Sequence, residues 1–395
     1  MDTLSLMPLA GVKTEGDDAA LMRGGDAPRV YVRDAVNVDF TSEGRMRMRP
    51  GVRRVTAQAL ADLWHSPLHG DTFARDGDQW VRVRRPDWSA EPLATIGDGP
   101  ACHLVLNSRV WVAGVAGIFV FDGVAATLLG IATPPAPMVT AGTGALEPGS
   151  YGVAVSWLRG KTESATSAIT QVDLPAGGAL RLTLPLCFDP TVTHARLYVT
   201  RPNGGVLYAG EDYPVATTAV TLPLLPPPGV EAKFWHMEPM PSGRYLSYWQ
   251  GRLITARANV LRFSEPMAYH VHDPRHGFVQ MPQRITFVAP VDGGIFVGQA
   301  DHVAFLQGDR LDTLTLQRRA TRAPVPGSAT LVDAQTVGEA AAGGRQVAVW
   351  LADNGYVLGL ADGSVVEPHA GVLGGITGTA GQTVAVGERL TTIVQ

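Results

Sequence analysis

The sequence has few charges and few cysteines. Charged residues make up 17% of its 395 residues, and the formal net charge is −4. A protein that wraps nucleic acid is usually strongly basic, because its affinity comes from neutralising phosphates. This balance argues against sustained nucleic-acid binding, although it is compatible with a surface that DNA slides past. The two cysteines, Cys102 and Cys187, exclude a disulfide framework and indicate buried free thiols.

Long apolar runs and helical periodicity are also missing. No 18-residue apolar stretch occurs, so no membrane-spanning segment is predicted. No long window keeps apolar residues at i, i+3 and i+4, so helix should be scarce. The chain does contain 45 glycines, 29 prolines and 45% hydrophobic residues, which is typical of many turns around a substantial core. We therefore predict an all-β fold.

Six segments share one pattern, in which a short strand, a tight turn rich in Gly, Asn or Asp, and a second strand follow one another. This pattern predicts a β-hairpin. Apart from one long gap, equivalent positions recur every 37 to 52 residues, close to the roughly 40–45 residues of a four-stranded propeller blade. Strand-like runs flank most of the hairpins, so the sequence predicts a β-propeller. The segments begin at Asp71, Ser108, Gly251, Gly293, Arg345 and Gln382.

The long gap, 143 residues from Val110 to Leu253, predicts an inserted domain. The residues in excess of one blade lie between two proline-rich borders, TPPAP from Thr133 and LPLLPPPGV from Leu222. The short alternating strands between them fit an immunoglobulin-like sandwich of about 100 residues, and the stretch resembles a fibronectin type III domain. A turn is predicted at Pro202-Asn203-Gly204-Gly205. One strand face is predicted to be core: Tyr151, Val153, Val155 and Trp157.

The two ends of the chain suggest how the propeller closes. Two or three strands follow the last hairpin start at Gln382, whereas VNVDFT and GRMRMRPG near the beginning have no strand before them to pair with. We expect the N-terminal strands to complete the last blade, which gives six blades, or seven if residues 30–58 form their own. The predicted organisation is an extended arm (1–27), a first propeller part with the ring-closing strand (28–132), the sandwich (133–232) and a second propeller part (233–395).

Patterns for catalysis are not evident. The sequence has no G-x-x-x-x-G-K-[ST], G-x-S-x-G or H-E-x-x-H motif. His270 and His272 would share one side of a strand and resemble a zinc pair, but Pro274 places the segment in a loop, and four ligands in a defined frame are not evident. We predict no metal, no cofactor and no catalytic residue, and a polar contact loop around these histidines. Tryptophans beside the repeated strands are expected to pack between blades, with a sugar-binding platform as the alternative: Trp64, Trp80, Trp111, Trp249 and Trp350.

A basic strip lies near the start of the chain. Arg45, Arg47 and Arg49 alternate with Met46 and Met48, which predicts arginines facing solvent and methionines packing inward. Arg53 and Arg54 continue the basic run beyond Pro50-Gly51. With the acidic net charge, a subunit interface is favoured over phosphate contact, which remains the alternative. The candidate interface residues are Arg45, Arg47, Arg49, Arg53, Arg54, His270 and His272.

The combination of patterns resembles the nozzle or packaged-DNA stabilisation proteins of bacteriophage tails. RDAVNVDFTSEGRMRMRPGVRRV is similar to their opening, NVLRFSEPMAYHVHDP to their strand ending in F-S-E-P, and WLADNGYVLGLADGSV to a late blade. Proteins of that family also commonly contain an inserted sandwich domain. The resemblance spreads over residues 28–365, and the chain is short for a nozzle.

This resemblance implies a non-enzymatic virion component. Several copies, commonly six, would form a ring below the portal and adaptor, and DNA would leave through its centre with only transient contact. Expected partners are further copies of the chain, an adaptor or portal-proximal protein, and a tail fibre, spike or needle. The protein would be assembled in the host cytoplasm and reside in the virion tail. The alternatives are a receptor- or carbohydrate-binding propeller at the tail tip and a propeller glycan hydrolase.

Overall fold

A computed structural model describes residues 8–23, 29–41, 43–51, 53–68, 70–319, 321–337, 344–386 and 389–395. These residues are almost entirely in strands and turns, which confirms the all-β class. The helical segments among them are 3₁₀ turns at Asp18–Leu21 and Leu311–Thr313 and the one-turn helix α1, Ala334–Val337. None of the helical segments that the structure describes is long and apolar enough to cross a bilayer.

The chain divides into two compact units. Unit 1 comprises Met1–Ala59, Ala258–Val260 and Met281–Gln395, and unit 2 comprises Leu60–Arg257 and Leu261–Gln280. These units differ from the predicted domains, because the predicted sandwich lies within unit 2 together with sheets on both sides of it in the sequence.

Unit 1 begins with a small folded segment where the sequence predicted an extended arm. Its central strand pairs in parallel with one neighbour and antiparallel with the other. The Arg33 guanidinium holds the intervening loop, since Nη2 donates to Gly16 O over 2.8 Å. Residues 8–23 are thus folded within unit 1, where Thr14 N also donates to Val372 O over 3.0 Å. The rest of the predicted arm lies outside the described residues. The strands are β1 (Leu9–Val12), β2 (Met22–Arg23) and β3 (Arg29–Val32), followed by the two-stranded sheet of β4 (Val38–Phe40) and β5 (Met46–Met48).

Unit 2 opens with two four-stranded antiparallel sheets in simple meander order. Both contain a predicted hairpin, β7–β8 and β11–β12, whose strands pair as expected. The first sheet has β6 (Ala61–His65), β7 (Thr72–Asp76), β8 (Gln79–Val83) and β9 (Ala90–Thr95). The second has β10 (Cys102–Leu106), β11 (Arg109–Gly114), β12 (Gly117–Phe121) and β13 (Ala126–Leu128).

Strand β11 shows why these sheets stack face to face. Its side chains alternate between two apolar clusters, as a strand buried on both faces requires. Val110 and Val112 pack with Phe73 and Trp80 of the preceding sheet. Trp111, on the opposite face, packs in another cluster with residues of a later sheet. Face-to-face packing of four-stranded sheets is the arrangement of propeller blades.

The predicted sandwich follows as two sheets around one core. A three-stranded sheet, β14-β18-β21, and a five-stranded sheet built on β15 contribute to one apolar cluster. The predicted face from Tyr151 to Trp157 lies in this cluster, as expected. Asn203 has a φ of +59° in the predicted turn before β20. The strands are β14 (Met138–Leu146), β15 (Gly149–Arg159), β16 (Thr162–Glu163), β17 (Thr170–Leu174), β18 (Gly178–Thr183), β19 (His194–Val199), β20 (Tyr208–Pro214) and β21 (Ala219–Leu222).

Unit 2 closes with a further four-stranded sheet, β23-β24-β25-β27, and a short pair, β22-β26. Leu246 and Leu253 of this sheet join the cluster of Trp111. The strands are β22 (Glu238–Pro239), β23 (Arg244–Trp249), β24 (Arg252–Arg257), β25 (Val260–Phe263), β26 (Val271–His272) and β27 (Phe278–Gln280).

The remainder of unit 1 repeats the same packing. Trp350 of β33 lies in a cluster with Phe287 and Phe296 of the preceding sheet, whereas Val349 faces a cluster that includes Leu390 of the last hairpin. The first sheet has β28 (Phe287–Val291), β29 (Gly294–Gly298), β30 (Val303–Gln307) and β31 (Thr315–Arg319). The second has β32 (Thr330–Asp333), β33 (Gln346–Ala352), β34 (Gly355–Gly359) and β35 (Val365–Val366), and β36 (Gly381–Val386) and β37 (Arg389–Val394) form the final hairpin.

Ring closure differs from the prediction. Among the described strands, β4 pairs only with β5, and β36 pairs only with β37. The strand pairing expected between the N-terminal segment and the last blade is therefore absent from the described residues. An ion pair joins the two hairpins instead, with Arg389 Nη1 3.0 Å from Asp39 Oδ2. Five four-stranded sheets are described, and the sixth predicted unit is represented by its hairpin alone.

Candidate functional site

The candidate site is the basic hairpin, which we define as residues 37–41 and 43–51 around β4 and β5. Asp39 pairs across the strands with Arg47, and Phe40 with Met46. Gly44 closes the turn with a φ of +79°, and a Cβ there would lie 2.3 Å from Pro8 Cβ. Only glycine therefore allows the turn to lie this close to the start of β1.

One face of the basic hairpin carries the arginines around a single carboxylate. Arg49 Nε donates to Asp39 Oδ1 over 2.7 Å, while Arg389 binds the second oxygen. The Asp39 side chain is only 15% exposed. The hydrogen bond from Arg49, opposed by burial and reinforced by Arg389, holds the pKa of Asp39 below its usual value. Asp39 thus fastens the basic hairpin to the last hairpin of unit 1 and stays ionised.

The remaining arginines of the strip divide into two kinds. Arg54 folds back onto its own loop, where its guanidinium donates to Thr56 O and Ala57 O, both over 2.8 Å. The side chains of Arg45, Arg47 and Arg53 are exposed and form no hydrogen bond or ion pair with the described residues. Arg49 and Arg54 therefore hold the local fold, while Arg45, Arg47 and Arg53 are available to a partner.

The opposite face of the basic hairpin is apolar, half-buried along β4 and exposed along β5. Met46 is 55% exposed and Met48 is 77% exposed, so the prediction that these methionines pack inward is wrong. The physical reason is that side chains on a sheet face are buried only where another element packs on that face, and none covers Met46 and Met48 among the described residues. Val36, just before β4, is also largely exposed. The surface combines free guanidinium groups with a flexible apolar stripe.

The two histidines predicted at the interface lie elsewhere, in unit 2. His272 is 2% exposed, and its Nδ1 lies 2.9 Å from Phe263 O. His270 Nε2 lies 2.8 Å from Glu163 O, and burial lowers the pKa of His270. Each imidazole is thus engaged by a backbone carbonyl. His272 is not available to a neighbouring subunit, and the pair does not converge on one point.

The other chemically suggestive residues take structural positions. Trp80, Trp111 and Trp350 are buried between sheets, and Trp64 stacks on His103 of the next sheet, so the predicted packing role is confirmed for these four. Trp249 is buried against Phe263 of its own sheet. The described residues contain no group of three His, Cys, Asp or Glu side chains placed to hold a metal ion. Both cysteines are free and half-buried.

Sequence reasoning missed the two residues that anchor the basic hairpin. Asp39 lies within the segment VNVDFT. Its position opposite Arg47 follows from hairpin register, so pairing it with the arginines was possible from the sequence. Arg389 carried no such signal. It is separated from Asp39 by 350 positions and reaches it only because the two hairpins meet in unit 1.

Comparison with known proteins assigns no family. No protein-family model and no curated protein matches the chain. Sqt1 of Saccharomyces cerevisiae is 10% identical, with 77% of this chain and 83% of that chain covered and a TM-score of 0.24. The extracellular domain of the putative hybrid two component system BT4673 of B. thetaiotaomicron is 8% identical, with 88% and 59% covered and a TM-score of 0.24. At these scores the likeness carries no argument, and the resemblance to phage tail proteins remains a prediction.

Proposed function

We propose that this protein is a structural component of a bacteriophage tail that assembles into a ring through the basic hairpin. The observation that carries the proposal is the exposure of both faces of β5, with Arg45 and Arg47 on one face and Met46 and Met48 on the other. The sequence resemblance supplies the tail context, and in each unit four-stranded sheets pack face to face, as in the predicted propeller.

A protein partner explains both faces of the hairpin. Methionine is apolar and flexible, and it is enriched with arginine at protein interfaces. A DNA backbone would satisfy the guanidinium groups but would leave the methionines in water. The net charge of −4 shows that acids outnumber bases in the whole chain, so another copy offers carboxylates for Arg45 and Arg47. In a ring, the hairpin of one copy would meet a different surface of the next, because such interfaces are heterologous.

The sandwich offers a second exposed apolar feature for attachment of other tail proteins. Phe188 is 90% exposed, and Leu186 beside it is also largely exposed, in the segment after β18. Large apolar side chains adjacent in an exposed loop favour a protein contact over solvent. In the proposed tail, this segment would meet an adaptor, fibre, spike or needle protein, and DNA would touch the ring only in passing.

The test is the assembly state of the full-length chain, measured by native mass spectrometry and electron microscopy over a range of concentrations. We expect a closed ring, near six copies, with a channel wide enough for duplex DNA. Replacing Met46 and Met48 together with serine should shift the ring toward monomers. Replacing Arg45 and Arg47 with serine should weaken the association of copies and make that association less dependent on salt concentration. Val124→Ser removes another strongly exposed apolar side chain and serves as the matched control.

Three results would contradict the proposal. The first is a wild-type chain that stays monomeric at every concentration. The second is equal disruption by Val124→Ser and by the methionine pair. The third is normal assembly of the Arg45→Ser/Arg47→Ser variant combined with faulty DNA retention in assembled particles, which would return the strip to phosphate contact. Saturable binding to a cell-surface glycan by a monomer would instead favour the receptor-binding alternative.

A further inference from the structure

A buried polar cluster in unit 1 has no part in the basic hairpin. Asn354 lies in the turn between β33 and β34 and is 3% exposed, and Glu367 and His369 follow β35. Asn354 Nδ2 donates to Glu367 Oε2 over 2.9 Å. A Cβ on Gly355 would lie 3.0 Å from His369 Nδ1, so the imidazole lies directly against the same turn. Asn354 and Glu367 thus bond to each other across two segments, and the His369 ring packs against the same turn.

Each member of the cluster leaves one buried atom without a partner. These atoms are Asn354 Oδ1, Glu367 Oε1 and His369 Nδ1, and none has a hydrogen-bond partner in the described part of the chain. Buried polar atoms in folded proteins are nearly always paired with protein or with a bound species. Three unpaired atoms on three neighbouring side chains therefore point to a bound species at the cluster.

The chemistry of the three atoms favours a cation. A carboxylate oxygen, an amide oxygen and an imidazole nitrogen are all metal ligands, and imidazole selects first-row transition ions over Mg²⁺ or Ca²⁺. The Glu367 carboxylate is half-buried, and its one hydrogen bond comes from a neutral amide.

Charges around the cluster also favour a cation. Arg322 is the nearby base, and it is already bound to Asp353 at 2.5 Å and lies 3.7 Å from Glu15. Arg322 also interacts electrostatically with Glu367, so this one guanidinium is shared among three carboxylates. Uncompensated negative charge in a partly buried place is costly, and a divalent ion would offset it.

We propose that Asn354, Glu367 and His369 form a binding site for one divalent first-row transition ion, with Zn²⁺ and Mn²⁺ as the probes. The ion would tie the β33–β34 turn to the segment after β35. The same region holds the N-terminal segment of unit 1, since Thr14 Oγ1 bonds to Gly374 O over 3.0 Å. The role is structural, and it does not depend on assembly of a ring.

The experiment uses the full-length chain, stripped with a chelator and then exchanged into metal-free buffer. Calorimetric titration with ZnCl₂ should show saturable binding of about one ion per chain, and MnCl₂ should compete. At a free ion concentration about 100 times Kd, the melting temperature of unit 1 should rise by about 5 °C or more. Glu367→Gln and His369→Gln should each weaken binding at least about tenfold and remove most of the thermal shift.

Glu91→Gln is the matched control, because it removes an exposed carboxylate that pairs with Arg84 in unit 2. It should bind and melt as the wild type does with added metal. Absence of saturable binding by the wild type would overturn the proposal and assign a water molecule to the cluster. Equal binding by the wild type and both cluster variants would also overturn it, because the ion would then lie elsewhere. If Glu367→Gln fails to fold, His369→Gln and competition by Mn²⁺ decide the matter.

Discussion

The stability of unit 2 should depend on pH through one histidine, His103 of β10. Its imidazole stacks on Trp64, with ring centroids 5.2 Å apart and planes 5° apart. Trp80 Nε1 donates to His103 Nε2 over 3.1 Å. Since the indole nitrogen can only donate, His103 Nε2 must carry its lone pair. Burial lowers the pKa of His103 from 6.5 to about 3, so the folded protein holds the ring neutral.

The sign of the effect follows from the lowered pKa. Well above pH 6.5 neither the folded nor the unfolded chain binds a proton at His103, and stability is at its full value. Between pH 6.5 and about 3 the unfolded chain binds the proton and the folded chain does not, so stability falls as the pH falls. The loss is about 1.4 kcal/mol per pH unit, or roughly 2 kcal/mol between pH 7 and pH 5.

The variant His103→Gln should remove this dependence. A glutamine oxygen can accept the hydrogen bond from Trp80, and the side chain does not titrate. The melting temperature of unit 2 should be measured for both proteins at pH 7 and pH 5 by scanning calorimetry. The difference between wild type and variant should change by about 4–8 °C, using about 2–4 °C per kcal/mol for a unit of this size.

His276→Gln controls for the loss of an imidazole in general, because His276 is an exposed residue of the same unit. It should not reproduce the effect of His103→Gln. The reasoning is refuted if wild type and His103→Gln differ by the same amount at both pH values, because His103 would then take up its proton without breaking the contacts described above.

Other substitutions test the core, the sandwich and the basic hairpin. Trp350→Ala should lower the free energy of unfolding, measured in urea, by about 3–5 kcal/mol, because Trp350 is fully buried. Phe188→Ala, at a 90% exposed site, should change it by less than about 0.5 kcal/mol. Glu163→Gln should lower the melting temperature of unit 2, since Glu163 Oε1 accepts from Tyr198 Oη over 2.5 Å and is part of a buried polar network. Asp39→Asn should speed tryptic cleavage in the basic hairpin while the melting of unit 1 changes little; an unchanged cleavage rate would show that the ion pairs do not hold it.

The strands of the repeated units could be predicted because their signals are local. Each hairpin has an apolar run on either side of a turn whose residues tolerate the required backbone, and all six predicted hairpins form. Strand-like runs predicted beside the hairpins also form strands, for example β10 and β23. The core face from Tyr151 to Trp157 followed from period-two alternation alone. In each case the information lies within about twenty residues.

Predictions that depended on distant neighbours were less successful. Alternation placed the methionines and arginines of β5 on opposite faces, which is correct, but it could not say whether a second sheet covers either face. The nearness of His270 and His272 in sequence suggested a shared role, yet each ring is bound to a carbonyl from a different segment. Contacts of this kind depend on chain packing and are not encoded in the spacing of a single strand.

The arginine strip shows how one pattern divides into two roles. Period two made Arg45, Arg47 and Arg49 look equivalent, and a single function was assigned to them together. In the structure Asp39 forms ion pairs with both Arg49 and Arg389. Arg49 therefore fastens the hairpin, while the side chains of Arg45 and Arg47 stay free. That division strengthens the case for an interface, because a fixed hairpin can present two guanidinium groups and two methionines to a partner without first becoming ordered.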